Sequence, residues 1–122
     1  MPRSPRILLI EDDPDLAEVV VEVLEMEAYR VSHAADGKAA LALLARTEPP
    51  DLILLDLMMP NMNGWEFREA QLRDHRLAKI PVVVLSATGE RSRPIDATAV
   101  LRKPVSLDDL LLAVRQFSAR EQ

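Results

Sequence analysis

Four apolar runs in this chain end abruptly in residues able to bind or transfer something. Ile7–Ile10 gives way to Glu11, Asp12 and Asp13; Leu52–Leu55 to Asp56; Ile80–Leu85 to Ser86; and Ala99–Leu101 to Arg102 and Lys103. Carboxylates gathered at one place repel one another, and a hard cation relieves that repulsion. Magnesium takes oxygen ligands in an octahedron at about 2.0–2.1 Å, usually keeping waters and adding phosphate oxygens. An ammonium such as Lys103 is a point charge suited to a phosphoryl group, and the Ser86 hydroxyl can donate to one of its oxygens. A carboxylate can also be a phosphoryl nucleophile, giving an aspartyl phosphate. Asp56 is the candidate, because it alone extends from the middle of such a site.

Each residue also has an ordinary reading. Glu11–Asp13 could be an acidic loop before a helix, Ser86 the cap of a turn, Lys103 a solvated surface lysine, and Asp56 the start of a turn. The elements decide whether the set converges. A continuous apolar run bounded by breakers suits a strand buried on both faces of a parallel sheet. Leu52–Leu55 is such a run, and Pro60 stops it from continuing. A carboxylate inside it would be costly, which places Asp56 at the strand's end, facing a polar site.

The rest of the chain supplies partners for that strand. Residues 6–10 form the first strand, and Pro14 and Asp15 suit a first helical turn. Leu16, Val19, Val20, Val23 and Leu24 repeat at helical spacing to about Glu27. A weakly alternating stretch, Tyr29–His33, reads as a second strand near an edge, followed by a turn at Ala34–Gly37 and a helix over Lys38–Arg46. Turn formers at 60–64 lead into a helix from Trp65 to about Arg76. After the fourth and fifth strands, Ser106 and Asp109 resemble a capping box. The helix beyond them carries Leu107, Leu110, Leu111, Val114 and Phe117 on one face.

Strand and helix alternate without repeat or linker, which calls for an open α/β sheet with parallel strands and helices on both faces. Ligands bind such sheets beyond the carboxyl ends of the strands. Glu11, Asp12, Asp56, Ser86 and Lys103 all fall on that one edge. His33 and His75 do not, and surface positions are expected for both. Packing is expected of Trp65, and a mixture of core and loop positions of Met58, Met59 and Met62.

Composition bounds the remainder. At 122 residues, one domain over 1–122 with its core at about 6–117 is expected. The net charge of −5 argues against direct nucleic-acid or anionic-membrane binding. The chain has no cysteine, hence no disulfide, zinc-thiolate site or thiol nucleophile. No apolar run approaches the ~20 residues of a membrane span, so a soluble, cytoplasmic protein is expected.

The segments Ile-Leu-Leu-Ile-Glu-Asp-Asp-Pro, Asp-Leu-Ile-Leu-Leu-Asp-Leu-Met-Met-Pro-Asn-Met-Asn-Gly, Pro-Val-Val-Val-Leu-Ser-Ala and Leu-Arg-Lys-Pro closely resemble the receiver domain of bacterial two-component response regulators. The likeness runs from about Arg6 to Phe117. It implies a flavodoxin-like, doubly wound five-stranded sheet of order 2-1-3-4-5, and a phosphoacceptor that signals by a conformational population shift and is not an enzyme acting on a substrate, although it would assist its own phosphorylation and dephosphorylation. Asp56 would accept the phosphoryl group from a histidine kinase or histidine phosphotransfer protein. Asp12 and Asp56 would ligate Mg²⁺ directly, with Glu11 acting through a water and Met58 through its backbone carbonyl. Ser86 and Lys103 would hold the phosphoryl group, and the Lys103–Pro104 bond would be cis. No effector segment follows Gln122, so a stand-alone regulator is expected.

Two departures from the family pattern stand out. Val100 occupies the position, three before the lysine, where relatives usually carry an aromatic switch residue. The segment from Ser86 to Lys103 is short by about one turn or more, at ~3.6 residues per turn, and Gly89 and Pro94 lie inside it, so a stunted or irregular fourth helix is expected. These departures keep an alternative open, a pseudo-receiver whose altered face binds a partner independently of phosphate. A phosphohydrolase with an Asp nucleophile would normally carry a second acid two residues on, where this chain has Met58. A nucleotide- or flavin-binding domain is disfavoured because carboxylates, not a glycine-rich loop, follow the first strand.

Overall fold

A computed structural model describes residues 4–87 and 95–118. The elements in chain order are β1 (Arg6–Ile10), α1 (Pro14–Met26), β2 (Arg30–Ala34), α2 (Gly37–Leu44), β3 (Leu52–Asp56), α3 (Gly64–Arg73), β4 (Val82–Ser86), β5 (Ala99–Arg102) and α4 (Leu107–Phe117). All strand pairs are parallel, and the sheet order is β2-β1-β3-β4-β5. This is the flavodoxin-like arrangement expected.

The near-continuous apolar strands follow from burial on both sides. Alternate residues of a strand point to opposite faces. Leu8, Ile10, Ile53, Leu55, Val82 and Val84 meet α2 and α3 through Ala40, Leu44 and Phe67. Ile7, Leu9, Leu52, Leu54, Val83 and Leu85 meet α1 and α4 through Ala17, Val20, Leu24, Leu110, Ala113 and Val114. Every residue of β3 and β4 is buried. Each fully buried Leu, Ile or Val contributes roughly 1.5–3 kcal/mol.

The helices begin where side chains can accept their orphan N–H groups. Asp13 caps α1 by accepting from Asp15 and Leu16, and Asp36 caps α2 by accepting from Ala39. Asn63 and Glu66 form a reciprocal capping box at α3, and Ser106 accepts from Asp109 at α4. The end of α1 lacks the expected glycine signal. Ala28 takes the left-handed conformation with φ 70°, its N–H donates to Glu25 O, and the Tyr29 N–H donates to Leu24 O. This pair of bonds is a Schellman closure with alanine in the usual glycine place.

Several boundaries differ from expectation. Helix α3 ends at Arg73, not near Arg76, because Asp74 turns extended and its carboxylate accepts the Arg76 N–H. The apolar stripe of α1 is narrower than its valines suggest, since the tightly packed positions are Ala17, Val20 and Leu24 while Val19 is exposed. Leu107 is likewise exposed at the start of α4, one turn before the packed Leu110. The expectation of a stunted fourth helix falls mainly on residues 88–94, outside the described residues. Residues 95–98 carry no helix, and Arg68 of α3 holds them by donating from Nε to Asp96 O at 2.7 Å. Among the described residues, no helix is long and apolar enough to cross a membrane.

Candidate functional site

The sheet order places the carboxyl ends of β1, β3, β4 and β5 side by side, with Asp56 opposite Leu85 and Ser86 opposite Arg102. The five residues singled out from sequence therefore converge. Glu11 is 1% exposed, Asp56 3% and Ser86 5%, whereas Asp12 stands at the open side. Carboxylate oxygens of Glu11, Asp12 and Asp56 all lie within 4.8 Å of one another. Lys103 closes the cluster from the β5 side, its Nζ 3.1 Å from Glu11 Oε1 and 3.3 Å from Asp56 Oδ1.

Each position has a local cause. The Lys103 N–H donates to Ser86 O at 2.7 Å, continuing the β4–β5 ladder one residue past the strand. The Lys103–Pro104 peptide is cis, as expected. Glu11 is fixed at both carboxylate oxygens, Oε1 by Lys103 and Oε2 by the Asp13 N–H at 3.1 Å. Asp13, which carried no definite role in the sequence, has a structural one as the α1 cap. The Ser86 hydroxyl donates to Ala87 O at 3.4 Å, at the strand's end beside Asp56.

Electrostatics single out Asp56. Burial, then the negative charge of Glu11, pushes its carboxyl from 3.8 up to about 7, against the opposing pull of Lys103. Burial acts to lower the Lys103 ammonium, but Asp56 and Glu11 outweigh it and hold the group above its ordinary value. Three carboxylates with one ammonium leave an excess of negative charge. An all-oxygen donor set of this kind fits a hard divalent cation such as magnesium better than a soft one.

Beyond the strand, the Gly64 N–H donates to Leu57 O at 2.8 Å and draws the loop back toward the sheet. Space requires glycine there, because a Cβ at Gly64 would sit 2.8 Å from the Leu57 Cα. The Met58 side chain is 59% exposed, whereas Met59, Met62 and Trp65 pack against the core on the α2/α3 face. Trp65 is thus a packing residue, as expected. Val100 is half exposed on the edge strand β5.

One expectation is corrected. His33 is exposed, but it is not remote from the acidic edge, because its Nε2 lies 2.7 Å from the backbone carbonyl of Glu11. A carbonyl only accepts, so that nitrogen is the donor. The parallel pairing of β1 with β2 sets Leu9 beside His33, and a register this exact is not readable from the alternation of 29–33. His75 is exposed, as expected.

The comparisons with known proteins agree with this fold. The family model of the response regulator receiver domain matches residues 7–115. The chain is 40% identical over 121 residues to the DNA-binding dual master transcriptional regulator RpaA of Synechocystis sp., covering 95% of this chain and 50% of that protein. It is 38% identical over 118 residues to the sensor histidine kinase TmoS of Ectopseudomonas mendocina, covering 97% of this chain and 11% of that protein. The chain thus spans half or less of the length of these curated relatives. Among solved structures, the signal receiver domain of a histidine kinase from Syntrophus aciditrophicus aligns with a TM-score of 0.86 at 28% identity, covering 98% of this chain and 96% of that one.

Proposed function

Because this chain belongs to the response regulator receiver family, we propose that it accepts a phosphoryl group on Asp56 and passes the signal on as a shift between two conformations. The observation that carries the reading is the buried Asp56 carboxylate, lodged among Glu11 and Asp12 with Lys103 Nζ at 3.3 Å. An Asp56 oxygen attacks the phosphorus of a phosphohistidine on a histidine kinase or phosphotransfer protein. The phosphorus–nitrogen bond breaks, and the histidine nitrogen leaves with the electron pair and takes up a proton. Ionised Asp56 is the nucleophile, so a carboxyl pushed up to about 7 must first lose its proton.

Asp12, Asp56 and the Met58 carbonyl would hold Mg²⁺ directly, and Glu11 would act through a water. When bound, the ion offsets the charge of the carboxylates and of the phosphoryl oxygens. Lys103, already between Glu11 and Asp56, is placed to pair with a phosphoryl oxygen, and the Ser86 hydroxyl to donate to another. Receiver domains signal and do not turn over a substrate, and this chain's partners are accordingly a phosphodonor and a downstream effector.

Intact mass after incubation with Mg²⁺ and acetyl phosphate tests the reading. Wild type should gain one phosphoryl group, and Asp56→Asn none; no gain in wild type overturns it. The aliphatic Val100, half exposed on β5, favours a second reading, a partner-binding module indifferent to phosphate. Equal partner affinity with and without the phosphoryl group would establish that alternative.

A further inference from the structure

The loop joining β3 to α3 carries Met58 and is pinned at two places. The inner pin is the Gly64–Leu57 bond beneath it. The outer pin lies on the loop between β2 and α2. Asn61 takes the left-handed conformation, φ 67°, and its Nδ2 donates to Asp36 Oδ2 at 2.8 Å. Next to it the Gly37 N–H donates to Met62 O at 3.3 Å. The two loops touch so closely here that a Cβ at Gly37 would sit 2.7 Å from Met62 Cγ.

Asp36 therefore has two tasks, one for each oxygen. Its Oδ1 caps α2 by accepting the Ala39 N–H at 2.8 Å, while Oδ2 holds Asn61. The Ala39 N–H and then the Asn61 amide keep its carboxyl below the ordinary value. Capping alone explains the first bond. The second reaches 25 residues along the chain to the segment that follows Asp56. Between the pins, the Met58 side chain is mostly exposed, whereas Leu57 before it is buried and Met59 after it packs against the core.

We propose that Asp36 is a positioning residue for the phosphoacceptor site: by latching Asn61 it holds the 58–61 backbone where the Met58 carbonyl can serve a bound cation. The proposal rests on the reading of Glu11, Asp12 and Asp56 as a Mg²⁺ site. Freeing the latch lets the segment spread over several conformations, and apparent affinity falls with the fraction that is competent to bind.

The side chains allow a reciprocal test. Asp36→Asn keeps the cap, since Asn and Asp are comparable there, and the exposed Asn61 amide can turn its Oδ1 to accept from the new NH₂, so a neutral latch remains. Asn61→Asp sets two carboxylates against each other and keeps a residue tolerant of positive φ. Combining the two restores one donor and one acceptor in the opposite sense. Titration calorimetry with MgCl₂ should show affinity weakened roughly fivefold in Asn61→Asp, little changed in Asp36→Asn, and restored to about the wild-type value in the double variant. Melting in EDTA runs alongside. An Asn61→Asp variant that melts lower yet binds Mg²⁺ like wild type would make the latch purely structural and overturn the proposal. A double variant as weak as Asn61→Asp would overturn it too. If wild type itself bound no Mg²⁺, the reading of the acidic cluster would fail and take the latch's role with it, a result distinct from the other two.

Discussion

At the scale of single residues, Asp56 illustrates how burial can set both reactivity and stability. Its folded-state pKa of about 7 lies above the ordinary 3.8, so the unfolded chain releases this proton first. In metal-free protein, the stability held below pH 3.8 is lost progressively as pH rises through about 7, and the loss is complete above it. Asp56→Asn should therefore be more stable than wild type in EDTA at pH 8, on the order of 2–4 kcal/mol, with the difference closing toward pH 4. Urea denaturation across that range measures it, and a constant difference would contradict the assignment. Lys103 keeps Glu11 as a partner in that variant. The convergence of Glu11, Asp56, Ser86 and Lys103 was legible in the sequence because each ends or follows an apolar run, and the topology gathers such ends. The contact of His33 with the Glu11 carbonyl and the Asp36–Asn61 bond were not legible. Both join residues far apart in sequence through register and loop shape, and neither leaves a periodic signal.

At the scale of elements, strands and helices and most of their ends could be read from apolar runs and spacing, while the close of α3 at Arg73 and its buried polar residue Gln71 could not. Helix α1 has no glycine after it, and Ala28 closes it in a conformation that strains an alanine. Ala28→Gly should add about 0.5–1 kcal/mol of stability by relieving that strain, seen as a higher urea midpoint at unchanged slope. A lower midpoint would mean that glycine's extra freedom in the unfolded chain outweighs the relief. Gln71 is the converse case. In sequence it looks like a surface residue of α3, yet it is fully buried, and its Nε2 donates to both Leu77 O and Ile80 O. It thereby ties the end of α3 to the start of β4, and its Oε1 accepts from Arg68. Gln71→Leu strands two buried carbonyls and should cost about 2–4 kcal/mol, measurable by the same denaturation.

At the scale of the whole molecule, the charge at one sheet edge and the folding equilibrium are linked. A cation that binds only the folded chain stabilises it by mass action, by about 2.7 kcal/mol at a concentration one hundred times its dissociation constant. Mg²⁺ should raise the melting temperature of wild type and leave that of Asp12→Asn nearly unchanged, which calorimetry or a dye-based melt can read. The strand order has a consequence of another kind, in time. The strand made first, β1, lies inside the sheet, flanked by β2 on one side and by β3 on the other. Ile7 pairs with Val31 early, but its second neighbour, Leu52, is made much later. On a ribosome adding ~5–20 residues per second, the apolar rim of β1 waits on the order of seconds before β3 covers it. The nascent chain therefore passes through a stage in which its future centre is an open sticky margin, and that interval is when a chaperone has most to protect.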